Sequence, residues 1–152
     1  MASRADRLLP VVDIAKGQTE RQLQLMAERQ QKLADGERQL TELKRYRDAY
    51  EDPSEATSIE SLLNRRQFVD SIASVISRQQ NEVSRLTRQY DFARKEWMKA
   101  RAHEQALELL VERMREQDRK DQARHEQAEV DERTLTRHVA MMRDRARNAS
   151  AA

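Results

Sequence analysis

Cysteine is absent from this chain of 152 residues, and glycine, proline and aromatic side chains are scarce. The absence of cysteine excludes a disulfide framework, a thiolate metal site and a cysteine nucleophile. Because the two glycines stand apart, the chain has no glycine-rich loop to hold a phosphate. With 4% aromatic and 37% charged residues, it cannot fill the wide core of a globular domain. Its apolar residues suffice for one narrow seam, which is all that a coiled coil needs.

Long apolar runs are lacking as well. The run from Leu8 to Val12 is too short for a signal-peptide core or a membrane span, so we expect a cytoplasmic protein with no direct membrane insertion. The net charge is +2, from 29 basic and 27 acidic residues, and the two signs alternate, as in Glu28-Arg29. Since a nucleic-acid binder concentrates Lys and Arg on one face, we expect no nucleic-acid partner.

The strongest interior helix breaker is Pro53, which lies among short polar residues that favour turns and caps. We therefore predict an all-α fold, a long antiparallel two-helix coiled-coil hairpin with unequal arms. It forms a single domain over residues 1–152, with a helix at about 5–51, a turn at about 52–58, a long helix at about 59–147 and a flexible C-terminal tail.

The second arm carries a heptad repeat, in which apolar residues recur at alternating steps of three and four. Only Gln79 and Glu104 interrupt it before Met114. The repeat comprises Val69, Ile72, Ile76, Gln79, Val83, Leu86, Tyr90, Ala93, Trp97, Ala100, Glu104, Leu107, Val111 and Met114. Beyond it, the same register is polar for about two heptads and then reaches Leu135, Val139 and Met142. Tyr90 and Trp97 are interpreted as core anchors of this seam.

The first arm has a less regular seam in one heptad register. Its apolar members are Leu8, Val12, Ala15, Met26, Leu33, Leu40, Leu43 and Tyr50, and its flaws are Thr19, Gln22, Arg29 and Gly36. Gly17 and Gly36 each cost about 1 kcal/mol relative to alanine in a helix interior. The first arm is about half as long as the second, so it is expected to cover the second arm only to about residue 105 or 110. We expect the remainder to dock on another protein or to fray.

No catalytic or metal site is expected. His103 and His125 are each followed by glutamate, as in the zinc-protease helix motif, but neither has a second histidine four residues later. His125 and Glu129 supply two metal ligands at most. Since exposed carboxylates on a helical hairpin are not desolvated, their pKa values cannot be tuned for acid–base catalysis. We therefore expect neither enzymatic activity nor a cofactor.

A second stripe runs beside the seam and comprises Phe68, Ile72, Val75 and Gln79. Two interpretations of this stripe stay open. It is either a wide core stripe near the turn or an exposed patch that docks another protein.

Three segments, in this order, resemble those of the flagellar export protein family FliJ. They are the opening Arg7-Leu8-Leu9-Pro10-Val11-Val12-Asp13-Ile14-Ala15, the short Asn64-Arg65-Arg66-Gln67-Phe68-Val69, and Asp91-Phe92-Ala93-Arg94-Lys95-Glu96-Trp97. The resemblance covers nearly the whole chain.

This resemblance implies a non-enzymatic, stalk-like coupling protein of flagellar type III export. It would lie in the cytoplasm, peripheral to the inner membrane, and its partners would be the export ATPase FliI, the export-gate protein FlhA and export chaperones. Gate binding in the family involves the stripe that corresponds to Phe68, Ile72, Val75 and Gln79. Phe68 matches directly, Ile72 and Val75 match in apolar character, and Gln79 replaces a different polar residue. The ATPase-facing end would comprise Leu135, Val139, Met142, Arg143, Arg145 and Arg147.

Two alternatives stay open at this point. One is the analogous stalk of an injectisome secretion system, which would share the fold. The other is a parallel coiled-coil homodimer that serves as a structural spacer, against which Pro53 and its polar neighbours argue.

Overall fold

The computed structural model describes residues 2–52 and 58–151. Within these ranges the chain forms two helices, α1 (Arg4–Glu51) and α2 (Ile59–Ala151), and no strand. The two helices pack against each other, which confirms the predicted all-α hairpin. Most of the predicted turn, including Pro53, lies outside the described residues.

Serine side chains cap both helices at their N-termini. The Asp6 N–H donates to Ser3 Oγ at 3.1 Å, and the Ser3 N–H donates to Asp6 Oδ2 at 3.2 Å, which is a reciprocal capping box. The hydrogen bond from the Ser3 backbone lowers the pKa of Asp6. At α2, the Ser61 N–H donates to Ser58 Oγ at 3.1 Å. Each cap satisfies backbone groups that a helix end otherwise leaves without partners.

The contacts divide the chain into two units, of which the larger comprises residues 13–105. Within it, α1 and α2 are antiparallel. The rings of Tyr50 and Phe68 pack together near one end of the pairing. Further along, Arg29 donates a hydrogen bond to Gln89. Arg29 precedes Tyr50 by 21 residues in α1, and Gln89 follows Phe68 by the same 21 residues in α2. This constant register over three heptads is the signature of an antiparallel coiled coil. Buried apolar side chains of this unit are Ala15, Ile72, Ile76, Leu86 and Ala93.

The smaller unit comprises residues 1–12 and 106–152. Its core is a cluster of Ala5, Val12 and Val111, against which the half-buried Leu8, Leu107 and Met114 pack. From Arg115 to Ala151, every residue of α2 is exposed. The covered part of α2 therefore ends a few residues later than the predicted 105 or 110, because α1 already begins at Arg4 and its first turn contributes Ala5 to the cluster.

The predicted seams agree with the observed burial. In α2, every seam position from Val69 to Met114 is buried or half-buried, including the two polar ones. In α1, the same holds for every predicted seam position except Tyr50, which is exposed and packs on Phe68 instead. Since α1 pairs with α2 of the same chain in antiparallel orientation, the alternative of a parallel homodimer is inconsistent with this fold.

The two glycines of α1 differ in their surroundings. A Cβ atom added at Gly36 would lie 2.9 Å from Leu86 Cδ1 and 3.6 Å from Val83 Cγ2, so glycine allows the two helices to approach closely there. A Cβ atom added at Gly17 would meet no atom of the described residues within 4 Å. Helix propensity predicts the same loss of stability at both glycines. The packing gives a structural reason for glycine only at Gly36, where a side chain would meet Leu86.

We expect Gly17→Ala to raise the free energy of unfolding by roughly 0.5–1 kcal/mol, because alanine has the higher helix propensity and the space is open. Gly36→Ala gains the same propensity but must displace the buried Leu86, so it should give no net stabilisation. Urea unfolding followed by circular dichroism measures both. Equal stabilisation by the two substitutions would contradict the close approach at Gly36.

Candidate partner-docking surface

The stripe of Phe68, Ile72, Val75 and Gln79 divides into two outward-facing and two inward-facing residues. Phe68 is 41% exposed and Val75 is 39% exposed, whereas Ile72 is only 8% exposed and Gln79 is half-buried. The division follows from the heptad register, since Ile72 and Gln79 occupy seam positions and Phe68 and Val75 flank the seam by one residue. Half of the stripe is therefore core, and the other half is an exposed apolar surface.

Gln79 contributes to the pairing of the two helices. Its side-chain Nε2 donates to the Gly36 carbonyl oxygen at 3.0 Å and to Gln39 Oε1 at 3.3 Å. A glutamine amide has two N–H donors, and both are therefore used within the hairpin. Gln79, which interrupts the apolar repeat of α2, thus links α2 to α1 at the point where Gly36 allows the helices to approach closely.

Phe68 is held in place by an aromatic neighbour. The ring centroids of Phe68 and Tyr50 are 4.4 Å apart at an interplanar angle of 51°, an arrangement that contributes about 0.5–1.5 kcal/mol beyond simple burial. The guanidinium carbon of Arg65 lies 5.9 Å from the Tyr50 ring centroid, and Arg65 donates to the Asp52 carbonyl oxygen at 3.3 Å. These contacts restrict the orientation of the partly exposed Phe68 ring.

Further apolar side chains near this end of α2 are exposed. They are Ile59, Leu62 and Leu63, with Tyr46 and Tyr50 on α1. One surface groove is lined by Tyr50, Arg65 and Phe68, and another by Tyr50, Arg65 and Leu62, so the two grooves meet at the same pair of residues. These apolar residues were not among the predicted site residues. A detectable signal was the concentration of large apolar residues ahead of the regular seam.

Tyr90 and Trp97, interpreted as core anchors, are both half-buried at seam positions. The Trp97 indole Nε1 is inaccessible to solvent and has no hydrogen-bond acceptor among the described residues. An unsatisfied buried donor costs about 1–3 kcal/mol. Trp97 therefore fills the seam with its ring but leaves its indole N–H without a hydrogen bond.

The residues predicted for the ATPase-facing end all lie on the exposed part of α2. Leu135, Val139, Arg143 and Arg147 line one shallow groove along the helix. Met142 and Arg145 do not line it, although both are exposed. The structure therefore brings together four of these six side chains.

The ionisable groups form short-range pairs on the helix surfaces. Hydrogen bonds from Arg85 and Arg119 lower the pKa values of Glu82 and Glu116, each three residues earlier on α2. His125 Nε2 lies 3.2 Å from Glu129 Oε1. In residues 2–52 and 58–151, no three metal-ligating side chains are grouped to hold an ion, and no helix is long and apolar enough to cross a membrane.

We expect Trp97→Phe to change the free energy of unfolding by less than about 1 kcal/mol, because loss of ring volume is offset by removal of the unsatisfied N–H. Trp97→Ala, which loses the whole ring, should cost roughly 2 kcal/mol or more. Urea unfolding of the two variants tests this, and an equal loss in both would mean that the indole N–H is satisfied after all.

Comparison with protein-family models matches residues 4–143 to the family described as "Flagellar FliJ protein". Neither a curated protein nor a solved structure matches the chain.

Proposed function

Because the chain belongs to the FliJ family, and is thus a component of the flagellar type III export apparatus, we propose that it couples three partners of that apparatus without being an enzyme. The partners are the export ATPase FliI, the export-gate protein FlhA and export chaperones. The protein acts in the cytoplasm, at the cytoplasmic face of the inner membrane, through its contacts with the apparatus. It needs no cofactor, because its role is to bind and to position.

One observation supports gate binding most directly. Phe68 and Val75 are large apolar side chains that stay exposed beside an otherwise buried seam, and exposed apolar clusters usually mark protein interfaces. Both lie on the stripe that resembles the gate-binding stripe of the family. In this proposal, Phe68 and Val75 contact the gate. Ile72 and Gln79 support them from below, since Ile72 is buried and Gln79 binds α1.

The ATPase contact is proposed at the other end of α2. Leu135, Val139 and Met142 supply exposed apolar surface, and Arg143, Arg145 and Arg147 supply positive charge. Such a surface suits an acidic, partly apolar partner, because the charges steer association and the apolar side chains contribute burial.

Phe68→Ala should weaken binding to the cytoplasmic domain of FlhA by roughly tenfold or more, as expected for loss of an exposed aromatic anchor. Phe92→Ala is the matched control, since Phe92 is an even more exposed phenylalanine of α2 outside the stripe. Titration calorimetry measures both affinities, with circular dichroism to verify helicity.

Equal affinity of the wild type and Phe68→Ala would remove the stripe from gate binding. Equal losses in Phe68→Ala and Phe92→Ala would indicate a general effect on the helix. Failure of the wild type to bind either FlhA or FliI would contradict the coupling role, while leaving the family membership unaffected.

Replacement of Arg143, Arg145 and Arg147 together by glutamine should reduce stimulation of the FliI ATPase and should reduce its salt dependence, because the charges accelerate association. The steady-state ATPase rate measured against the concentration of this protein tests the expectation. Unchanged stimulation would exclude these arginines from the contact.

A further inference from the structure

The exposed part of α2 continues the heptad register of the covered part. We call residues 115–151 the extension. Its seam positions carry large apolar side chains at Leu135, Val139 and Met142 and small ones at Ala128, Ala146 and Ala149. All of them are exposed, and nothing in residues 2–52 and 58–151 covers this face. Between residues 128 and 149, Glu132 is the one seam position of the extension that is not apolar. The first heptads of the extension instead place Asp118 and Asp121 on that face.

We propose that a second copy of this chain covers the face, with the two extensions antiparallel over about residues 125–149 and Leu135 of each copy opposite Val139 of the other. By symmetry, every contact then occurs twice. The layers are Leu135 on Val139, Glu132 on Met142, and Ala128 on Ala146. The antiparallel geometry is the one that α1 and α2 already adopt within residues 13–105, and the alanine layers allow the helices to approach closely.

The charges that flank the seam select this register. Glu129 and Arg143 lie on one side of it, and Asp131 and Arg145 lie on the other. In the proposed register, Glu129 faces Arg143 of the second copy and Asp131 faces Arg145, so all of these pairs are attractive. No ion pair among the described residues involves Arg143 or Arg145. Their proposed partners have exposed contacts within the helix, Glu129 with His125 and Asp131 with Gln127, which the dimer contacts would replace or share.

Other alignments are less favourable. A shift of the second copy by one heptad in one direction places His138 opposite Arg145. A shift by one heptad in the other direction places Arg124 opposite Arg145. Each shift removes the attractive pairs of the proposed register. A parallel alignment places Glu132 on Glu132 and Asp121 on Asp121 within the seam, where like charges oppose association. The antiparallel register leaves Asp118 and Asp121 outside the overlap.

Glu132 is the one charged side chain in the central layers, and the chain offers a precedent for it. Glu104 occupies a seam position at 6% exposure, with Arg101 Nη1 at 3.4 Å from its carboxylate. A seam glutamate is therefore compatible with packing when its carboxylate reaches an arginine at the edge. In the dimer, Arg145 of the second copy lies beside the seam and can fill that role for Glu132.

The dimer would cover the side chains that the proposed function directs toward the ATPase, so the two associations would exclude each other. The dimer itself does not depend on that function, since it is a property of the purified chain and is measured without any partner.

Sedimentation equilibrium of the full-length protein over a wide concentration range tests the proposal. We expect a monomer–dimer equilibrium that weakens with salt, because exposed ion pairs are screened. Arg143→Glu combined with Arg145→Glu should raise the dimer Kd by roughly tenfold or more, since each attractive pair becomes repulsive. The control combines Arg133→Glu with Arg137→Glu, which makes the same charge change away from the seam and should leave the Kd within about twofold.

A complementation experiment separates a lost contact from a frayed helix. A second variant combines Glu129→Arg with Asp131→Arg. Each variant alone should dimerise weakly, but an equimolar mixture should form a heterodimer with at least the wild-type affinity, because every pair is then attractive. A mixture no tighter than either variant would overturn the register.

Disulfide formation between introduced cysteines tests the orientation, because the chain has no native cysteine that could form competing disulfides. One variant carries Leu135→Cys and another carries Val139→Cys. On oxidation, the antiparallel dimer should give the mixed disulfide between the two variants in excess over either homodisulfide. Predominant homodisulfides would indicate a parallel dimer and contradict the proposal, as would a wild-type protein that stays monomeric at every concentration.

Discussion

The antiparallel seam between α1 and α2 is the interaction on which the rest of the structure depends. A chain with this many charges and so few aromatic residues has no second way to bury apolar surface, and long helices are marginal unless an apolar face is packed. The register pairs the helices residue by residue, so each seam position faces a defined neighbour. As a result, α1 fixes which part of α2 is covered, and it leaves residues 115–151 exposed.

The polar residues of the seam have separate structural explanations. Gln79 bonds the Gly36 carbonyl at the closest approach of the helices, Thr19 Oγ1 donates to the Ala15 carbonyl at 3.1 Å within α1, and Glu104 pairs with Arg101. Of these, only the Gln79 hydrogen bonds cross between the helices, so Gln79 favours this register over a shifted one, which would leave its amide without those partners. Thr19 and Glu104 keep their partners within their own helices in any register. The irregularity of the α1 seam is therefore compatible with a specific pairing.

The candidate docking surfaces follow from the same seam. A helix that packs along one narrow face exposes the residues immediately beside that face, and Phe68 and Val75 occupy such positions. The Tyr50 ring then orients Phe68, so α1 shapes a surface that belongs mainly to α2. At the other end of α2, α1 is too short to pair with the extension, and the seam face there stays uncovered in the monomer. Both candidate surfaces thus lie where α1 leaves apolar side chains of α2 uncovered.

Family membership rests on the match of residues 4–143 to the family model. The sequence was sufficient to predict the two helices and their seams, because heptad periodicity is a local property that is visible in residue spacing. It also located the end of pairing to within a few residues, since arm lengths limit how far an antiparallel partner can reach. The tertiary structure was needed to show which stripe residues face outward, because exposure depends on the opposite helix. It alone separated Gly36 from Gly17, assigned the Gln79 amide to α1 and placed Tyr50 on Phe68, since each of these contacts joins residues far apart in the chain.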